Sequence, residues 1–472
     1  MNFSEQDLKQ IKEHGLSVKE INGQINDFKK GFPFANIEKP LTIGDGVFVP
    51  DNIVYDYLAG VYSKYAQTHE IVKFVPASGG ATRMFKDLMA GEQHTISTVL
   101  NNIEQFAFWK DLQTSLPKNP TENDIIKHII AQYGNTPKGL IPFHKYDNYA
   151  RTPVEEHLIE AIGYAVSKNQ VNIHFTISPE HRNAFQSLLN RIVPILELKY
   201  CVKYNIEMSE QNKSTDTIAV NMDNTPFRNA DGTLLFRPAG HGALIENMNK
   251  IDADLIFIKN IDNVQTDNSR NDTTRYKKIL AGILIHYQKQ IFDFIHQINS
   301  RIADADKIHN FITTNLGIKL QNKLSLDEYK QILNRPIRVC GIVENTGAPG
   351  GGPFWVRDKN GNTSIQIVES SQIAPESKDI MKKSKYFNPV DLVCGTRDFN
   401  GKKFDLTKYI DKNTGFISQK SKDGKDLRAM ERPGLWNGAM ANWNTICVEV
   451  PGSTFSPVKV VTDLLLAAHR TK

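Results

Sequence analysis

The chain has 472 residues, of which 40% are apolar and 23% charged, with a formal net charge of +5. That length suits one large domain with insertions or two to three ordinary ones, and the composition excludes a disordered chain. A small net charge without a Lys/Arg-rich block excludes a nucleic-acid footprint and suits an anionic small molecule as partner.

The cysteines, Cys201, Cys340, Cys394 and Cys447, form no CxxC pair. This speaks against a zinc site or a disulfide framework and suits a reducing compartment. The opening MNFSEQDLKQIKEHG lacks the apolar core of a signal peptide, and no run approaches the roughly 18 apolar residues of a membrane span. The expectation is a soluble, cytoplasmic protein without a membrane or nucleic-acid partner. Its oligomeric state is not legible.

In chain order, residues 1–70 read as a mainly helical N-terminal arm, with Ser4 and Asp7 as a cap pairing. IVKFVPAS, from Ile71, reads as a buried strand, and the helix-rich stretch 87–135 as an insertion. TPVEEHLIEAIGYAVSK reads as a helix, VNIHFTIS as a strand, PEHRNAFQSLLNRIVPILE as a helix opened by Ser178-Pro179, and DADLIFIKNIDN as a strand. This rhythm predicts an α/β layered fold with ligands at the carboxyl ends of the strands. A second helical insertion, 267–334, contains the amphipathic KKILAGILIHYQKQIFDFIHQINSRI. Strands resume after Pro336 with IRVCGIVEN, GPFWVRD, SIQIVESSQI and NTICVEVPG. The predicted halves are 71–266 and 335–472.

The stretch KFVPASGGATRMFK, Lys73–Lys86, puts five small residues between a strand and a helix start. A backbone that wraps phosphate needs such residues, because side chains would hold the oxygens away from the amide N–H groups. Arg83 and Lys86 follow on the first helical turn. The bland alternative is a structural turn with a polar helix face. The stretch fits neither GxGxxG nor the P-loop GxxxxGK[ST].

PASGGATRM resembles the L-x-G-G-x-G-T-R-[LM] signature of sugar-1-phosphate nucleotidyltransferases, especially their UDP-sugar pyrophosphorylase branch, and among these a bacterial branch catalogued as a domain of unknown function. TPKGLIPFHKY resembles the family's Pro-Lys stretch, here displaced by about fifty residues. Further similarities keep the family's order: NIHFTISPEHRNAF, FRPAGHGALIENM, LIFIKNIDNV, SIQIVESSQI, SKYFNPVDLV and STFSPVKVV. Ser78 and Ala81 stand where the signature prefers glycine, and Ala81 is expected to push phosphates outward.

The resemblance implies a nucleotidyltransferase-like (Rossmann-like, GT-A-type) mixed sheet flanked by helices. It implies attack of a sugar-1-phosphate on a nucleoside triphosphate, expected to be UTP, with Mg²⁺ as cofactor and pyrophosphate leaving. Arg83, Lys138 and Lys459 would be the catalytic cations. Ser78, Gly79, Gly80, Ala81 and Thr82 would cradle phosphates, and Gly240, His241 and Gly242 would meet the base and ribose. Glu369 and Asn388 would bind sugar hydroxyls. Asp262, closing a buried strand, would ligate the metal, with Asp391 and Asn437 open as second ligands. The glycine-rich loop 347–353 has no counterpart in the family and is expected to border the sugar pocket. The competing readings are a catalytically degenerate nucleotide- or sugar-phosphate-binding protein and a glycosyltransferase of GT-A type. The latter wants an Asp-x-Asp that ends a strand, whereas Asp252-Ala253-Asp254 precedes one.

Overall fold

The computed structural model describes residues 3–49, 51–347 and 350–471. Its centre is a ten-stranded mixed sheet. From one edge the strands are Thr42–Ile43, Gly46–Phe48, Asn444–Glu449, Ile337–Ile342, Asp391–Gly395, Leu255–Ile258, Ile71–Pro76 and Gln170–Ile177. Both Val166–Ser167 and Tyr204–Glu210 pair with Gln170–Ile177. Leu255–Ile258, Ile71–Pro76, Gln170–Ile177 and Tyr204–Glu210 are mutually parallel, and Asp391–Gly395 runs against its two neighbours.

Strand alternation divides the core between the two faces of this sheet. Leu255, Phe257, Val339 and Val393 pack with the helices Asn52–Tyr65 and Asn271–Asn299. Ile256, Ile258, Cys340 and Cys394 face the opposite way, toward Leu244, Met248, Leu435 and Trp443. With both faces covered, the central strands are apolar throughout, which is why they read as continuous runs. The two helices approach closely at Gly282, where an added Cβ would lie 2.1 Å from the Leu58 carbonyl oxygen. Any side chain there would drive them apart.

A four-stranded antiparallel sheet, ordered Ile37–Pro40, Gly352–Arg357, Thr363–Val368 and Ile318–Lys319, lies beside the main one. The expected Ser4–Asp7 pairing is present as a reciprocal capping box. Residues 37–48 carry three short strands where a helical reading was expected. The stretch 87–135 is helical, as read, but broken into short pieces around the longer helix Glu122–Tyr133. Among the described residues no helix is long and apolar enough to cross a membrane.

Candidate active site

Parallel strands emerge from one end of a sheet together, so their following loops are neighbours. After Pro76 comes the turn 77–83, after Ile177 the segment 178–181, and after Ile258 the segment 259–263. The strand Asp391–Gly395, being antiparallel, begins at that same end, so residues 388–390 enter there. Asn444–Glu449 runs parallel to Ile337–Ile342 and delivers 450–459 to it as well.

The fifty-residue gap between the glycine turn and the Pro-Lys stretch closes in space. Gly80 bridges to Pro137, the Ala81 N–H donates to the Thr136 carbonyl at 3.1 Å, and the Lys138 N–H donates to the Gly79 carbonyl at 3.4 Å. Asn263 bridges to Pro457, the Val458 N–H donates to the Asp262 carbonyl, and the Ser456 N–H donates to Asn263 Oδ1 at 2.9 Å. Two segments near opposite ends of the chain are thereby stitched to one strand end.

Between them lies a three-residue charge cluster. Lys138 Nζ donates to Asp262 Oδ2 at 2.9 Å and to the Val458 carbonyl at 2.6 Å. Lys459 Nζ donates to the same Oδ2 at 3.3 Å. The Lys138 and Asp262 side chains are 11% and 10% exposed, whereas Lys459 is 58% exposed. Burial pushes the Asp262 carboxyl up, but the Lys459 and Lys138 ammonium groups outweigh it and hold it below the ordinary carboxylate range.

The turn beside this cluster has an open face. An added Cβ on Gly79 would meet nothing within 4 Å, and one on Gly80 only the Thr82 hydroxyl at 3.8 Å. Neither glycine is demanded by the protein's own packing, so their backbone is free to be approached from outside. Ser78 takes a hydrogen bond from Ser178 Oγ on its carbonyl at 3.2 Å. Thr82 and Arg83 are exposed, and Arg83 has no ion-pair partner among the described residues. Ala81 is fully buried against Met84 and Phe85. Its methyl group points into the core rather than toward the open side, contrary to the expectation that it would push phosphates out.

A second cluster gathers the other predicted residues. Asn388 Nδ2 and Asn437 Nδ2 each donate to Glu369 Oε1 at 3.1 Å. The Oδ1 atoms of both asparagines are buried without a partner. His241 stacks on Trp436, with ring centroids 4.5 Å apart, and burial pushes its pKa down to about 4. The flanking glycines are needed for close approach: a Cβ on Gly242 would lie 2.0 Å from the Pro433 carbonyl oxygen. Within the loop 347–353, Ala348 and Pro349 lie outside the described residues. A Cβ on Gly350 would come within 2.7 Å of Phe387 and 3.6 Å of Asn388 Nδ2, so this end of the loop closes over the second cluster.

Asp391 is committed elsewhere, 2.7 Å from the Lys277 ammonium with both side chains fully buried. Among the described residues no group of three or more His, Cys, Asp or Glu is arranged to hold a metal. Trp436 was not read from the sequence; a glycine- and proline-flanked tryptophan in RPGLWNG was the available signal. Nor was the pair His144–His469, whose rings join at 2.9 Å with Glu156 behind them at 2.8 Å. Those histidines are 325 residues apart and carry no local signal.

The fold is similar to a uridine diphosphate N-acetylglucosamine pyrophosphorylase from Trypanosoma brucei solved with an inhibitor. The TM-score is 0.53 at 12% identity, over 98% of this chain and 79% of that one. A UDP-glucose pyrophosphorylase variant from Leishmania major, solved with UDP-glucose, gives a TM-score of 0.50 at 15% identity, over 100% and 80%. At such identities the likeness carries the fold alone, a mixed α/β fold of nucleotidyltransferase type. No curated protein matches the chain. A family model covers residues 4–470, nearly the whole chain, and the chain belongs to that family, the domain of unknown function DUF4301.

Proposed function

We propose that the chain is a sugar-1-phosphate nucleotidyltransferase that forms a nucleotide sugar, with UTP as the nucleotide, and releases pyrophosphate. The observation that carries this reading is the sharing of one Asp262 oxygen by Lys138 and Lys459 beside a glycine turn with an open face. The fold likeness to two UDP-sugar pyrophosphorylases supports the same reaction class.

In the proposed step an oxygen of the sugar phosphate attacks the α-phosphorus of the triphosphate. A new P–O bond forms, the bond to the oxygen bridging α and β breaks, and pyrophosphate leaves with that electron pair. The attacking oxygen is already anionic, so no base is required. Cations and fixed N–H donors do the work by neutralising charge and holding the reactants in line. Lys138 spends two of its three N–H bonds on Asp262 and Val458, leaving one for a phosphate oxygen. Lys459 spends one and keeps two. Asp262 orients both, yet cancels only one of their charges, so the cluster stays cationic. Arg83 offers its planar fork to the outer phosphates, and the 79–82 backbone offers amide N–H groups. Ser78 shapes the turn. Gly240, His241 and Gly242 would border the base, and Glu369 with Asn388 the sugar.

A single carboxylate already paired with two ammonium groups does not make a protein cage for a metal. It fits a magnesium ion that keeps phosphate and water oxygens as its other ligands and so arrives with the triphosphate. Asp262 would hold that ion, which would neutralise charge on the triphosphate.

The test is pyrophosphorolysis: a panel of nucleotide sugars is incubated with pyrophosphate and magnesium, and triphosphate is measured. One nucleotide sugar should yield triphosphate, with the rate falling about 100-fold in Lys138→Ala while circular dichroism shows the chain still folded. Nucleotide sugars that bind without any turnover would instead make the chain a binding protein.

A further inference from the structure

Away from both clusters, a cavity of about 710 Å³ opens along the Thr363–Val368 strand and the 441–445 segment. This volume is that of a site for a small organic molecule. Val368 and Gly438 border it, but their neighbours Glu369 and Asn437 do not, so it is distinct from the second cluster.

A guanidinium on its wall lacks a counter-charge. Arg335 is half-buried, and its Nε donates to the Gln331 carbonyl at 3.2 Å. No carboxylate lies within ion-pair distance of it among the described residues, and the outer N–H groups of its fork have no protein acceptor. A guanidinium half removed from water without a counter-charge gains from an anion brought within reach of its fork.

Both carboxylates on the wall are held by neighbouring backbone, and one of the arginines is paired. Asp358 accepts from the backbone N–H groups of Asn360 and Asn362, Asp411 accepts from that of Asn413, and Arg357 pairs with Glu38. Lys359 is exposed at the rim. The remaining wall is rich in neutral hydrogen-bonding groups, among them Gln366, Ser364 and Asn442. Arg335, whose outer N–H groups have no protein acceptor, is the cation on the cavity wall placed to take an anion, and the amides and hydroxyls beside it suit a polyol.

We propose that this cavity binds a small hydroxylated oxyanion, its phosphate or carboxylate on the Arg335 fork and its hydroxyls on the amide-rich wall. The test is calorimetric titration of the full chain with glucose 6-phosphate, gluconate, inorganic phosphate and glucose. Glucose 6-phosphate or gluconate should bind saturably, and whichever binds more tightly names the anion. Affinity should fall tenfold or more in Arg335→Gln, about the worth of one charged hydrogen bond, and similarly in Ser364→Glu, which adds a like charge to the wall. Lys138→Ala should leave it unchanged. Absence of saturable heat from either hydroxylated anion would overturn the proposal. So would binding that survives both cavity variants, or that is lost in Lys138→Ala alone. Inorganic phosphate binding as tightly as the sugar phosphate would overturn the polyol part.

Discussion

Two of the protein's lysine–carboxylate clusters differ in their access to water. Lys138, Asp262 and Lys459 meet at the sheet's end, with one lysine more than half exposed. Behind that end, Glu160 on the helix Pro153–Ile162 takes Lys73 at 3.0 Å and Lys259 at 2.7 Å, all three side chains at most 1% exposed. Each is one carboxylate shared by two ammonium groups. In the interior cluster, burial drives Lys73 down to about 7 even with Glu160 beside it. Burial likewise pushes Glu160 up, but Lys259 and Lys73 hold it well below the carboxylate range. Tyr164 Oη also donates to Glu160 Oε1, so the carboxylate is fully engaged by the protein. The same three charges can therefore serve as an internal brace or as a receptor for phosphate. Spare donors facing water make the difference.

The brace also reaches the site. His157 Nε2 lies 3.2 Å from the Asn260 carbonyl and 3.3 Å from that of Ile261, the two residues before Asp262, and its own charging is opposed first by burial and then by Lys73. Lys277 Nζ donates to the Ile258 carbonyl at 3.2 Å. The strand end that presents Asp262 is thus held from behind by buried polar groups.

The largest effect is expected from Glu160→Gln. It strands two ammonium groups in the interior and should cost about 4 kcal/mol of unfolding free energy in a denaturant titration. Asp262→Asn should cost less, about 2 kcal/mol, because one of its two lysines already faces water and the amide still accepts from the other. Its effect should appear in pyrophosphorolysis, as a fall of about 100-fold. Equal stability losses in the two variants would erase the distinction between brace and receptor.

This contrast also marks what was legible in the sequence. The glycine turn and Asp262 stood out because polar or small residues abruptly close apolar strands, a local signal. Ala81 misled, because a signature position says nothing of which way a methyl group points. Lys73 and Lys259 were opaque for the opposite reason: each is one charge inside an apolar run, and the carboxylate that stabilises it is 87 or 99 residues away. The strand Tyr204–Glu210 escaped notice because it pairs only with Gln170–Ile177 and is largely part-exposed, so its sequence lacks an apolar run. The layered fold was readable from the alternation of elements, whereas the joining of residues 136–138 to 79–81 depends on contacts across an insertion.

Acid titration extends the comparison to the second cluster. His241 is neutral when folded, with its pKa pushed down to about 4 by burial, against about 6.5 in an unfolded chain. Between these values the unfolded chain binds the extra proton, so stability falls as pH drops from 6.5 toward 4. His241→Gln should flatten that acid limb by about 2 kcal/mol in denaturant titrations at the two pH values. An unchanged slope would mean that the ring takes up its proton as readily when folded.

The smallest change asked of the protein is one methyl group on the open turn. Gly80 has φ −69° and ψ 159°, a conformation any residue adopts, and its added Cβ would clash with nothing. Gly80→Ala should therefore move stability by less than about 0.5 kcal/mol, and in the favourable direction through the unfolded chain. If the turn's backbone receives phosphate, the same methyl group stands in the ligand's way, and pyrophosphorolysis should fall about tenfold, mostly through a raised KM. The methyl group meets the protein only at the Thr82 hydroxyl, at an ordinary contact distance, so a loss of turnover at unchanged stability reports on what approaches from outside. Full activity in this variant would place the phosphates elsewhere, and Lys138 and Lys459 would then be a second brace.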